Sequence, residues 1–438
     1  MIKVLKHTKG EKTGMMKKMF AFLLAAAMLM ALCGCGTEVE AYGETAVAVE
    51  ETAQPAAEAA APEQVATVAT ESAAPAEPLD FDAAYAAYAP ETVVFTVEGE
   101  EVTWQEFFYE IAYNASIIAA QEGAAFTDWD DMCPLYVDAD GNMVFTYGDV
   151  VLQYAVNALL QYHIMDKHMT ELGIVLDEDS IAMLEDVRQQ IVDTNFGGEE
   201  GAFLNYLESL YCSEELWNWF NETDAKYAQA FDDLYGEMGG EYADEDVMAY
   251  AAGDPDGAWT EYVQLKMICL YAEEEAEAEE TSEEPASDEP SEEAAELSDA
   301  DLAAQILAEL SAAEDRNARY AELYTQYNEE IGLDPYPDGW CVYQGDIAEE
   351  VYSAALTMEP DEMRVVSIED GEVVVWKVPV DPDAGVTYDS ANDTVYTLRY
   401  YAAWQEYAET VNQWIADGTA TAQWAEGFEN FSLNSVFA

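Results

Sequence analysis

Acid–base chemistry in proteins falls first to histidine, and this chain has three: His7, His163 and His168. His163 and His168 stand five apart in a helical stretch, so they do not share a face well enough to hold a metal ion together. Each reads as a surface or boundary residue. Six cysteines are present. Cys133, Cys212, Cys269 and Cys341 are widely spaced with no CxxC pair, which points to neither a zinc nor a dithiol redox site; buried free thiols are expected. The segment DADGNMVF at 138–145 offers closely spaced oxygens but lacks the ligand spacing and closing glutamate of a calcium loop, and is read as a hairpin turn. No phosphate-cradling glycine loop, GxSxG or HExxH occurs. No cofactor, metal, nucleotide or hydrolase site is expected.

One stretch is more specific than its surroundings. Residues 338–356, DGWCVYQGDIAEEVYSAAL, run from a Gly-Trp pair through a short apolar strand to a second glycine and a helix. The elements around it are legible from periodicity. Val93–Val97 alternates as a strand, Glu98-Gly99 makes a turn, and Thr103 with Glu106 forms a capping box for a helix carrying Phe107, Phe108 and Ile111. A longer helix is expected from Asp149 as N-cap, with a stripe of Val151, Ala155, Ala158, Tyr162, Met165, Met169 and Leu172, ended by Gly173. Further helices are expected near 178–193, 199–211, 213–236 and 243–252. YVQLKMICLY at 262–271 reads as a buried strand. Helical periodicity returns at Leu302, Ile306 and Leu310, then at Tyr320, Leu323 and Tyr327. Met363–Ile368 and Glu372–Val378 are strands joined at Glu369-Asp370-Gly371. The second region therefore runs β, α, α, β, α, β, β. An amphipathic helix with an aromatic face closes the chain at 394–416.

At 438 residues the chain is long enough for two or three domains. Its net charge of -76 repels phosphate backbones, which excludes nucleic acid as a partner, and it offers no basic patch for anionic lipid. The first residues place lysines before about sixteen apolar residues, the layout of a secretory signal rather than a span. The end of that run, Leu32-Cys33-Gly34-Cys35, resembles the bacterial lipobox, which implies lipidation of Cys35 and removal of what precedes it. Residues 36–88 are mostly Ala, Glu, Pro, Thr and Val and read as a disordered tether; the acidic insert at 272–298 reads as a solvated loop.

The order of elements in the second region resembles a parvulin-type peptidyl-prolyl isomerase. There a first strand is followed by helices, a Gly-Trp strand, a groove-walling helix, and two last strands. Here these appear as YVQLKMICLY, RYAELYTQYNEE, DGWCVYQGDIAEEVYSAAL, TMEPDE and VVSIEDGEVVVWKV. The upstream TVEGEEVTWQEF and its helices resemble the N-terminal chaperone domain of PrsA-type foldase lipoproteins and SurA-type chaperones. The resemblance implies an α+β protein: a mostly helical chaperone-like domain at 89–260, a parvulin-like domain at 261–380, and a C-terminal segment at 381–438 that packs back on the first domain.

It also implies site residues, and here the chain departs from the family. Rotation about an X-Pro bond faces a barrier of about 18–20 kcal/mol, which a catalyst lowers by gripping the proline and favouring the twisted amide. Parvulins use two histidines, an acid or cysteine, and a pocket of leucine, methionine and phenylalanine. The first-strand histidine is replaced by Met267, the later one by Val373, and the threonine before it by Ile368. The pocket positions carry Ile347, Val351 and Asp338, and Glu330 alone keeps its acidic character. The implied function is a membrane-anchored, extracytoplasmic foldase or chaperone for unfolded secreted polypeptides, with degenerate catalytic positions. Two alternatives fit the same residues: an active prolyl isomerase, and a lipoprotein that binds a solute or cell-wall component.

Overall fold

The computed structural model describes residues 79–122, 128–138, 141–253, 261–271, 297–328, 336–390 and 393–437. The expected signal, Cys35, most of the tether and most of the acidic insert lie outside these residues. Residues up to Ala230, with those from Thr410 onward, make one unit; Phe231–Glu409 make a second.

The first unit opens with a short helix, α1 (Phe81–Tyr85), and then a hairpin of β1 (Val93–Val97) and β2 (Glu100–Thr103). Glu98 and Gly99 turn it with φ of 50° and 90°, the mirror-image turn whose twist matches the strands. Helix α2 (Trp104–Glu122) starts on a reciprocal cap. The Thr103 N–H donates to Glu106 Oε2 at 2.5 Å, and the Glu106 N–H donates back to Thr103 Oγ1 at 3.4 Å. Trp104, Phe107, Phe108 and Ile111 are fully buried along it. Helix α3 (Tyr147–Glu171) follows, then α4 (Glu178–Phe196), α5 (Glu200–Ser209) and α6 (Glu214–Tyr235). The tail adds β9 (Gln423–Trp424) to the free side of β1, and Phe428 and Leu433 enter the same core.

Two details of α3 differ from the sequence reading. Its N-cap is Thr146, and Asp149 is the third helical residue, whose carboxylate accepts from the Thr146 N–H at 3.0 Å. Its buried row is wider than the expected stripe: Leu159, Leu160 and Ile164 join Val151, Ala155, Met165 and Met169, while Leu172 is exposed. A helix covered on two sides buries two adjacent rows, and a single stripe drawn through alanines follows only one. Before α3, Val137 bridges Met143 and the Asp138 carboxylate accepts from the Asn142 N–H at 2.8 Å, so the described residues on either side of 139–140 pair as hairpin arms.

In the second unit, α7 (Asp244–Ala251) precedes a four-stranded antiparallel sheet of order β4-β3-β6-β5. Its strands are β3 (Val263–Tyr271), β4 (Trp340–Val342), β5 (Met363–Ile368) and β6 (Gly371–Val378). Strand β3 is buried on both faces, which explains why apolar residues dominate it on both, with Gln264 and Lys266 the polar exceptions. Leu265, Met267 and Cys269 enter a core covered by α10 (Glu349–Leu356). Ile268 and Leu270 enter another, covered by α8 (Asp299–Ala312) and α9 (Arg316–Asn328). Thr394–Thr397 was expected as helix but forms strand β8, paired with β7 (Gly385–Asp389). Two threonines and a valine in four residues fit a strand better than a helix start. Helix α11 (Leu398–Thr419) begins only after them. Cys133, Cys212, Cys269 and Cys341 are all buried, and none of them forms a disulfide among the described residues.

Candidate functional site

The Gly-Trp stretch enters the sheet through close backbone contact. Gly339 has φ of 108°, and a side chain there would sit 3.2 Å from the Leu265 carbonyl oxygen and 3.3 Å from Gln264 Cγ. Only glycine meets both demands. Gln264 holds the approach by donating to the Asp338 carbonyl at 3.1 Å while accepting from the Asp381 N–H at 2.8 Å. The Trp340 indole N–H donates to the Val386 carbonyl at 2.7 Å, and its ring stacks on Tyr336. β4 is then three residues long, and Gly345, with φ of 100°, turns the chain toward α10.

Five of the residues singled out by sequence lie together. Met267 on β3, Val373 on β6 and Val351 on α10 belong to one apolar cluster, and Ile347 and Ile368 pack against it. The sheet register sets this, with Cys269 opposite Val373 and Ile368 opposite Gly371. Met267 is 4 % exposed, and Val351 and Val373 are each 2 % exposed. Leu265, Tyr352 and Met358 complete the packing, and the Tyr352 hydroxyl leaves it to donate to the Glu261 carbonyl at 2.6 Å. Asp338 is exposed beside Gly339. Glu330 lies outside the described residues. Among the described residues this cluster is a packed apolar core that holds no imidazole.

The two described histidines are elsewhere, on α3. His163 Nε2 lies 3.4 Å from Glu106 Oε1, and His168 Nε2 lies 3.4 Å from Glu98 Oε2. Although burial acts first to raise it, bonds from His163 and Thr103 hold the Glu106 carboxyl below the usual carboxylate range. His168 stacks on Trp414 at 4.8 Å, and Lys167 reaches the same Glu98 carboxylate at 3.1 Å. These contacts pin the β1–β2 turn to α3. Among the described residues no cluster of histidine, cysteine and carboxylate has metal-binding geometry.

Sequence reasoning missed how β3 closes beyond β4. Pairing with β4 ends at Leu265. Past it, the Tyr320 hydroxyl accepts from the Met267 N–H at 3.3 Å and donates to its carbonyl at 3.1 Å. The Asn328 amide does the same for Cys269, accepting at 2.8 Å and donating at 2.6 Å. Two side chains of α9 thus stand where a strand would pair. On the opposite face of β3 from Met267, Lys266 is buried. Its Nζ donates to Asn317 Oδ1 at 2.8 Å and lies 5.4 Å from the centroids of both Tyr320 and Trp376. Burial holds this amine below its ordinary pKa, and the rings compensate part of the lost hydration.

Comparison with protein-family models gives no match. Comparison with curated proteins gives none either. Among solved structures the chain is similar to foldases of the PrsA class and to SurA-like chaperones. The foldase PrsA of Lactococcus lactis is 14 % identical at a TM-score of 0.29, covering 79 % of this chain and 99 % of that one. PrsA of Bacillus subtilis is 14 % identical at a TM-score of 0.24, covering 67 % and 93 %. A SurA-like chaperone of Campylobacter jejuni is 14 % identical at a TM-score of 0.20, covering 76 % and 98 %.

Proposed function

We propose that this protein is an extracytoplasmic, lipid-anchored chaperone of secreted polypeptides whose isomerase-like domain grips apolar groups without catalysing prolyl isomerisation. The observation that carries the reading is the convergence of Met267, Val373, Ile368, Ile347 and Val351 on one apolar cluster that holds no histidine. The order of β3, α8, α9, β4, α10, β5 and β6 supports it, because that is the order the parvulin resemblance implies. With no polar pair beside the peptide bond, nothing in the cluster favours a twisted amide over a planar one. Apolar surface for clients is present in the first unit, where Met132, Leu135, Val137, Met143, Val144 and Phe145 are exposed along the hairpin preceding α3. Burying such surface contributes roughly 25 cal/mol per Å². The net charge of -76 keeps a loaded complex soluble and disfavours very acidic clients.

Anchoring through Cys35 rests on the lipobox alone; a Cys35→Ala chain that stayed wholly with membranes would remove it from the account. The chaperone activity itself is tested by light scattering from a chemically unfolded secreted protein on dilution. An equimolar amount of this protein is expected to suppress scattering by more than half. Scattering that does not change with added protein rejects the proposal.

A further inference from the structure

The first unit contains a cleft of about 650 Å³ between the end of α3, the loop after it, α4 and α6. This lies within the range of about 300–1,000 Å³ typical of ligand sites. Ile174, Leu176, Leu184 and Trp217 form its floor, and Val175 and Ile181 stand at its edge, 76 % and 47 % exposed. Apolar side chains left open in a concave site gain when an apolar partner covers them.

The charges around the cleft choose the occupant. Its two cations are committed: Arg188 pairs with Glu200 and with Glu214, the latter at 2.7 Å, and Lys226 pairs with Asp166 at 2.6 Å. Glu185 and Glu222 line the same cleft and are exposed. The cleft therefore presents an apolar floor and negative carboxylates at its edge. A second copy of the chain is repelled by its own charge of -76. We infer that the cleft takes a polypeptide segment whose apolar side chains are flanked by lysine or arginine. Apolar groups of the segment cover Trp217 and Leu184, and its flanking cations meet Glu185 and Glu222. This deepens the chaperone reading and rests on it for the source of the segment.

The test uses fluorescence anisotropy with two labelled peptides that share one Leu- and Phe-containing centre, flanked by lysines in one and by glutamates in the other. The full mature chain is expected to bind the lysine-flanked peptide at least about tenfold more tightly, and to lose most of that preference in high salt. Glu185→Lys with Glu222→Lys is expected to weaken that peptide by about tenfold or more and to favour the glutamate-flanked one. Ile181→Asp in the parent chain is expected to weaken the lysine-flanked peptide even though its added charge favours that peptide, showing that the apolar edge is used. All three positions are exposed, so thermal melts report whether each variant is folded. Equal binding of both peptides by the parent chain, or unchanged preference in the folded double variant, overturns the assignment. If aggregation suppression persists in that case, the cleft fails and the chaperone reading stands. If the peptide follows the substitutions while suppression is absent, the chaperone reading fails instead.

Discussion

Asn328→Leu is expected to lower the stability of the second unit by about 2–5 kcal/mol, because two buried backbone groups lose their partners together. Asn328 is 1 % exposed, and its amide both donates to and accepts from Cys269 in the middle strand of the sheet. Leucine keeps its branched shape but is bulkier and satisfies neither group. Among the described residues no strand takes over, since β4 stops pairing at Leu265. Asn328→Asp separates the halves of the effect: an aspartate still accepts from the Cys269 N–H but offers its carbonyl no donor. Tyr320→Phe leaves Met267 in the same position at longer starting distances, 3.1 and 3.3 Å, and is expected to cost less. Denaturant melts of the three variants check the order. An Asn328→Leu protein as stable as the parent would mean that the α9 side chains do not close this edge.

The second large effect is one of pH, in the first unit. Glu110 is 6 % exposed on α2, and its carboxylate receives one side-chain bond, from Asn114 at 3.1 Å. Burial pushes its pKa up to about 8, against the pull of that bond. Burial likewise raises Asp224 to about 7, with a weaker opposing bond from the Tyr162 hydroxyl. A carboxyl raised in the folded state binds its proton more tightly there than in the unfolded chain. Its contribution is complete below the ordinary carboxylate range and drains away as pH rises toward 8. For Glu110 the loss is on the order of 3 kcal/mol at pH 7. Glu110→Gln keeps an acceptor for Asn114 and carries no charge. It is expected to raise the melting temperature by roughly 5–10 °C at pH 8 while leaving it nearly unchanged at pH 4.5. Glu106 runs the other way: held low by its partners, it stabilises above the ordinary carboxylate range and ceases to as pH falls through its own value. A pH profile of Glu110→Gln parallel to that of the parent would reject the buried-acid assignment.

Much of the fold was legible because large apolar residues recur at strand or helix spacing. β3, β5 and β6 are rich in Val, Ile, Leu and Met, β5 and β6 meet at a turn, and both ends of β5 agree with the sequence reading. The Thr103–Glu106 cap and the Glu98-Gly99 turn carry local chemistry that needs no tertiary context. β7, β8 and β9 were not legible. Each is five residues or fewer, and each mixes polar with apolar positions, so only its partner strand decides its conformation. That Met267, Val351 and Val373 share one cluster was expected only through family resemblance, since nothing in their spacing says that they meet. Asn328 and Lys266 were missed because one polar residue in an amphipathic stretch reads as solvent-facing until the strand beneath it is known. The cleft beside α4 was missed because nothing in the spacing of Ile181 and Val175 says that they stay exposed; only burial does.

Refolding of a secreted protein whose slow phase is limited by prolyl isomerisation puts the central proposal to its most direct test. One trace gives both the final yield and the rate of the slow phase. With this protein added in increasing amounts, the yield is expected to rise while the slow-phase rate stays at its uncatalysed value. A slow phase that accelerates in proportion to added protein, and that returns to the uncatalysed rate with Met267→Ala or Ile347→Ala in a folded chain, would contradict that account. The apolar cluster would then be a working isomerase site without histidine.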